Sequence, residues 1–302
     1  PISGTMTVDG TTIDGNTASG AAADNGGGGI YNLNAGTLNI TNATISNNIA
    51  NGTAGSGGGI LNDGLAVTIN NTTITTNTSA LEGGGIWNNT GTITIDTNSI
   101  LNANVAQGVA ADNGGGAIYN SAGTVNVTGG SITNNTALGT SGSGGAIFND
   151  LGATLTVNGT TITGNSSNRA GGGIEGRATG GVSTINLTGV SLNGNTTNTN
   201  PGNGGGLHMT GPGIVNITNG TVNNNTAGAE GGGLWNGSGT MTVDGTTIDG
   251  NTALGAAADN GGGGLYNLTG GTLNIMNATI SNNMASGALA LGGGILNDGL
   301  AV

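Results

Sequence analysis

The 302-residue chain has no cysteine and no lysine, and its only Arg are Arg169 and Arg177. Without cysteine the fold holds no disulfide, and thiol usage gives no information on redox compartment. Fourteen acidic groups against two basic ones set a net charge of −12, which argues against nucleic acid or an anionic membrane surface as partner. No apolar run approaches the roughly 20 residues of a membrane span, so no membrane insertion is expected in this region. One Phe, three Tyr and two Trp leave too few rings for an aromatic core. The chain starts at Pro1 in mid-pattern, and any targeting segment is expected upstream of it.

What is present is glycine, 68 residues of it, with Asn, Thr and small branched apolar residues. Such a composition would read as disorder if the apolar residues were scattered, but they are periodic. The motif G-[GA]-[IL] recurs ten times, with its apolar residue at positions from Ile30 to Ile295, about every 29 residues. Each copy is followed by an alternating apolar pair such as Leu38/Ile40 or Leu155/Val157, the mark of a strand with one buried face. A single apolar residue then follows five positions later in every copy, including Ile45, Ile74, Ile100 and Ile132. A fixed five-residue step implies a tight corner of constant geometry. The interval to the next G-[GA]-[IL] is elastic, so insertions collect at one corner.

Three short strands per turn with no helical period describe an all-β, right-handed parallel β-helix of about ten coils, forming one continuous solenoid over residues 1–302. No coil can bury its apolar face alone. Stacking at about 4.8 Å turns those faces into a continuous column, which is why the pattern stays in step. Three residues after the single apolar position stand Asn16, Asn48, Asn77, Asn135, Asn165, Asn195, Asn225, Asn251 and Asn283, with Ala103 in the fourth coil as the exception. Stacked asparagines can bond one another and the backbone at a turn, so a ladder is expected here. A second Asn column follows the G-[GA]-[IL] strand and is broken by Gly176 and Met209, so coils six and seven should be irregular. Both Arg and the one His, His208, fall in that region.

Residues 3–67 and 238–302 align without a gap at an offset of 235, differing at 11 positions. Eight coils therefore form a higher-order repeat. With no polar cap in view, the chain is expected to be a window on a longer array.

The elements "GGAIFN" at Gly144 to Asn149 and "GGAIYN" at Gly115 to Asn120, with "ISNN", "ITNN" and "ITGN" in the following strands, resemble the repeats of polymorphic outer-membrane proteins and related bacterial surface β-helix proteins. The resemblance covers all ten coils, with Ile, Val or Leu where that family has Phe in the second element. It implies a secreted or cell-surface passenger, an adhesin or stalk that reaches outward.

Candidate chemistry is sparse. Asp9, Asp14 and Asp24 share one coil, and Asp244, Asp249 and Asp259 its distant copy, yet Ser or Thr takes their places in neighbouring coils. Solvated acids that keep the surface soluble explain them better than a pectate-lyase-like site, so no enzyme is expected. Calcium could sit in the "AADNGGG" corners at Asp24, Asp112 and Asp259, but one carboxylate per site is few for a cation wanting six to eight oxygens. No cofactor is expected. His208, lacking a co-ligand by spacing, is expected as an exposed strand residue. Outward Thr/Asn pairs such as Thr92/Thr94 and Thr154/Thr156 raise ice or a crystalline glycan as an alternative ligand, although Thr is also simply a good strand residue. The apolar run Ala288, Leu289, Ala290 and Leu291 lies in an elastic corner and could meet a neighbouring copy. Self-association, with surface glycans as possible environmental partners, fits an extracellular structural fibre, sheath or stalk.

Overall fold

The computed structural model describes residues 4–22, 25–33, 35–199, 201–257 and 259–298. Its forty strands form four parallel sheets of ten strands each, and every strand pairs with its equivalents one coil before and after. The chain is thus a parallel β-solenoid of ten coils, with no helix among the described residues. In the second coil the four sheets receive Thr37–Thr41, Thr44–Ser46, Ile49–Ala50 and Ile60–Asn62 in turn.

The sequence led us to expect three strands per coil. The additional one, the third sheet, is only two residues long and turns Ala50, Ser79, Ala106 and Ala137 inward. These small residues carry no apolar alternation to betray a strand. They are small because the coil is pinched there: a Cβ on Gly58 or Gly84, in the run leading into the fourth sheet, would lie 2.6 or 2.5 Å from the backbone of Thr78 or Val105 in the third. Only glycine permits that approach. The remaining inward apolar positions, two from the first sheet and one each from the second and fourth, merge into one core column that includes Leu38, Ile40, Ile45 and Ile60, all fully buried. Each such side chain contributes about 1.5–3 kcal/mol by leaving water.

The constant corners have a backbone cause. The residue just after the first-sheet strand, and again after the second-sheet strand, turns with positive φ, as in Asn42 (53°), Gly159 (60°), Asn47 (53°) and Gly164 (67°). Glycine and asparagine tolerate this left-handed conformation. Thr76 and Ala103 adopt it without either advantage, both at φ 54°.

The fourth coil corrects the sequence reading. Ile74 pairs with Leu101 rather than Ile100; Leu101 is buried and Ile100 is 41% exposed. The step from Ile95 is six residues there, and the first-sheet strand shortens to Thr92–Ile95. The extra residue is absorbed by a turn in which the Asp96 carboxylate accepts from the Asn98 N–H (3.3 Å) and the Ser99 hydroxyl (3.0 Å). With that shift the asparagine ladder has no gap. Asn104 stands where Ala103 was expected to interrupt it, and Asn48, Asn77, Asn104 and Asn135 are joined in sequence by side-chain bonds of 2.9–3.0 Å. From Asn48 onward each asparagine Oδ1 accepts both the backbone N–H and the Nδ2 of the previous coil's asparagine, and each Nδ2 also donates to a carbonyl, as Asn48 does to Ile13. The same column runs from Asn16 to Asn283.

The second ladder behaves as expected. Asn32, Asn62, Asn88, Asn120 and Asn149 are linked in turn, and Asn236, Asn267 and Asn297 likewise. Between them Asn149 donates to the Ser183 hydroxyl at 3.0 Å. Met209 fills the column, its Cε 2.5 Å from where a Cβ on Gly176 would stand. Having no side-chain N–H to offer, Met209 leaves the buried Asn236 Oδ1 without a partner among the described residues.

Candidate functional site

In a strand, alternate residues face opposite ways. In the fourth sheet Ile60 and Asn62 point into the coil, so the residue between them points out. Pairing stacks these middle residues into an external column: Tyr31, Leu61, Trp87, Tyr119, Phe148, Glu175, His208, Trp235, Tyr266 and Leu296. It contains every aromatic residue of the chain. The column is external to the coil yet largely buried, because the elastic corner on one side and the turn after the strand on the other fold over it. Tyr119 packs edge-on against Phe148 with centroids 5.1 Å apart, and His208 stacks on Trp235 at 4.1 Å, which stacks in turn on Tyr266 at 6.0 Å.

The covering corners supply the acids. Glu82 accepts from the Trp87 indole (2.9 Å) and from Asn113 of the next coil (2.8 Å). Glu230 repeats this with Trp235 (2.9 Å) and Asn260 (2.9 Å). The shared sequence E-G-G-G-[IL]-W-N, at Glu82 to Asn88 and Glu230 to Asn236, is the signal that would have revealed the arrangement. Burial pushes the Glu82 carboxyl up, against the lowering effect of its bonds from Trp87 and Asn113. Burial also raises the Tyr266 phenol, which Glu230, Asp298 and Asp259 help push up to about 12. Tyr119 moves further in the same direction, through burial first and then the Glu82 and Asp150 charges.

At the centre of the column all the basic residues meet. Arg177 grips the buried Asp150 carboxylate in a two-point bond, Nε to Oδ1 at 2.6 Å and Nη2 to Oδ2 at 2.5 Å, with its guanidinium carbon 5.6 Å from the Phe148 ring centroid. Tyr119 donates to the same carboxylate at 2.7 Å. The bond to Asp150 raises the Arg177 pKa further. One coil on, the fully buried Glu175 bonds His208 Nδ1 at 2.8 Å and accepts from the Thr210 hydroxyl at 2.8 Å, with Arg169 Nη1 3.9 Å away. One expectation is thereby corrected. His208 is not an exposed strand residue: it is 4% exposed, because its ring is a tier of the aromatic stack. Coil stacking also brings Asp150 to Arg177 from 27 residues away.

The remaining candidates lie apart from this cluster. Asp24 is outside the described residues. Asp112 is 54% exposed on its side chain with the Arg177 guanidinium 3.9 Å away, a cation where a second oxygen donor would be needed. Asp259 borders a cavity of about 210 Å³ with Tyr266, Leu291 and Asp298. The "AADNG" corner has its own explanation: the Asn113 and Asn260 side chains each accept an N–H within their loop, from Ala110 and Ala257, while donating to Glu82 and Glu230. Among the described residues no three His, Cys, Asp or Glu gather as metal ligands. The exposed Asp14 and the half-buried Asp249 are corner acceptors held below the usual carboxylate range, first by the Ser46 or Ser281 hydroxyl and then by Asn47 or Asn282. Asp9 and Asp244 likewise accept from Asn42 and Asn277. Leu289 (61%) and Leu291 (53%) are exposed, as is Ala288, while Ala290 is half-buried.

Chemically, the central cluster is a clamp. Its hydrogen bonds are made between neighbouring coils, and the Thr210 hydroxyl donates to Glu175. Comparison of the chain with protein-family models, curated proteins and solved structures finds no match.

Proposed function

We propose that this solenoid is the structural repeat region of a secreted or cell-surface bacterial fibre, sheath or adhesin stalk. The observation that carries the reading is the register, unbroken through all ten coils in all four sheets. Each coil adds about 4.8 Å, so ten give a rod of roughly 50 Å and reach grows linearly with copy number. The resemblance of its repeats to bacterial surface β-helix proteins supports the extracellular setting. Lateral contacts with other copies fall to the corner loops, with Leu289 and Leu291 the most exposed apolar side chains of the last one.

Cryo-electron microscopy of the full-length natural material tests this. Continuous filaments, or rods carrying a distinct tip, with a repeat near 4.8 Å along the axis are the expected result. Compact particles in which this region is enclosed by other domains would overturn it. The enzyme alternative is tested separately: degradation of a polysaccharide by the purified chain, abolished in Asp249→Asn, would replace the structural reading.

A further inference from the structure

The first sheet presents an outer face of a different character from the fourth. Its outward residues fall into columns fixed by strand pairing. One holds Thr92, Thr124, Thr154 and Thr184, then Ile214 and Thr240. The next holds Thr94, Asn126, Thr156, Asn186, Asn216 and Thr242. Neighbours are about 4.8 Å apart across strands and about 6.6 Å apart along one. From Thr124 to Asn223 no strand of the first two sheets carries a charged residue, and the next two strands end on Asp244 and Asp249, although the chain as a whole bears −12.

We propose that this face binds ice. Charge complementarity points to an uncharged ligand, since a neutral array offers nothing to an ion or a charged polymer. A sugar chain is normally gripped by ring stacking, and every aromatic residue stands in the fourth-sheet column, none on this face. What remains is a regular array of hydroxyls and amides, each both donor and acceptor as water is, with the Asn216 amide donating to Asn186 at 2.9 Å. The hydroxyls of Thr94, Thr124 and Thr156 take no partner among the described residues, so they are available to a ligand. Threonine is stiff at χ1 and the sheet fixes its backbone, so little side-chain freedom is lost on docking to a crystal face.

The test measures thermal hysteresis and inhibition of ice recrystallisation with the full chain, Thr156→Tyr, and Leu138→Asn on an exposed corner away from this face. Circular dichroism and the thermal midpoint establish that each protein is folded. The proposal expects faceted crystals and hysteresis in the natural chain, their loss in Thr156→Tyr, and their retention in Leu138→Asn. No hysteresis in the folded natural chain, or equal loss in both variants, overturns it. So does adsorption to crystalline cellulose or chitin with no effect on ice.

Discussion

Ala103 shows how much a single backbone angle decides in a repeating coil. At φ 54° it occupies a corner position filled by Gly or Asn in eight other coils and by Thr76 in one. A residue with a Cβ costs about 1–2 kcal/mol there. Ala103→Gly should therefore raise stability by about 1 kcal/mol, and Gly164→Ala lower it by a similar amount, both read from urea denaturation midpoints. The ladder residues carry larger stakes. Asn165 receives the N–H and Nδ2 of Asn135 and donates to Asn195 and to the Ile132 carbonyl. Asn165→Ala orphans several buried groups at about 1–3 kcal/mol each, so a loss of about 3–6 kcal/mol is expected in the same measurement. The ladder could be read from spacing alone, but its course through the fourth coil could not. Ile100 and Leu101 are adjacent and equally apolar, and a one-residue slip exchanges inside for outside. Only the neighbouring coils choose, by offering Ile74 as a partner to Leu101.

The fourth-sheet strand explains why half of each motif escaped the sequence. Its inward residues, Ile or Leu and then Asn, recur in every regular coil because they meet copies of themselves above and below. The middle residue faces loops whose length and content vary, so Tyr, Trp, Phe, Leu, Glu and His all occur there, and no periodic signal survives. The acid that completes each site comes from a corner of the same coil or from a coil some 30 residues away. Glu82 gives this element a pH signature. Its folded pKa lies above its ordinary value, so the folded state holds the extra proton and stability rises as pH falls from the raised value to the ordinary one. Asp14 and Asp249 act oppositely: their contribution is present above the ordinary aspartate range and is lost as pH falls through their lowered folded values. On acidification, stability should first rise and then fall. In Glu82→Gln the rise should flatten while the fall persists, as followed by denaturation midpoints across pH.

At the scale of the whole rod, stability is a sum of coil–coil interfaces, and the weakest one opens first. The interruption of the second asparagine ladder at Gly176 and Met209 marks coils six and seven, where hydrogen bonds between like residues give way to an ionic clamp. The only trypsin sites of the chain, Arg169 and Arg177, lie in that same stretch. Native-state proteolysis by trypsin therefore reports selectively on the opening of this interface. Both side chains are partly shielded, at 23% and 19% exposed, and Arg177 is held by two bonds to a carboxylate with no exposure. Cleavage of the natural protein should accordingly be slow and should pass through opening of the clamp. Asp150→Asn removes the charge that Arg177 grips, and a hydrogen bond to a charged group contributes about 1.5–3 kcal/mol. Cleavage after Arg177 should then accelerate at least about tenfold, since 1.4 kcal/mol corresponds to a factor of ten in the open population. Ala103→Gly, two coils before coil six, should leave the rate unchanged. If the stabilising Ala103→Gly instead slows cleavage in proportion to its effect on global stability, the rod opens as one unit and the interrupted ladder is not its weakest point.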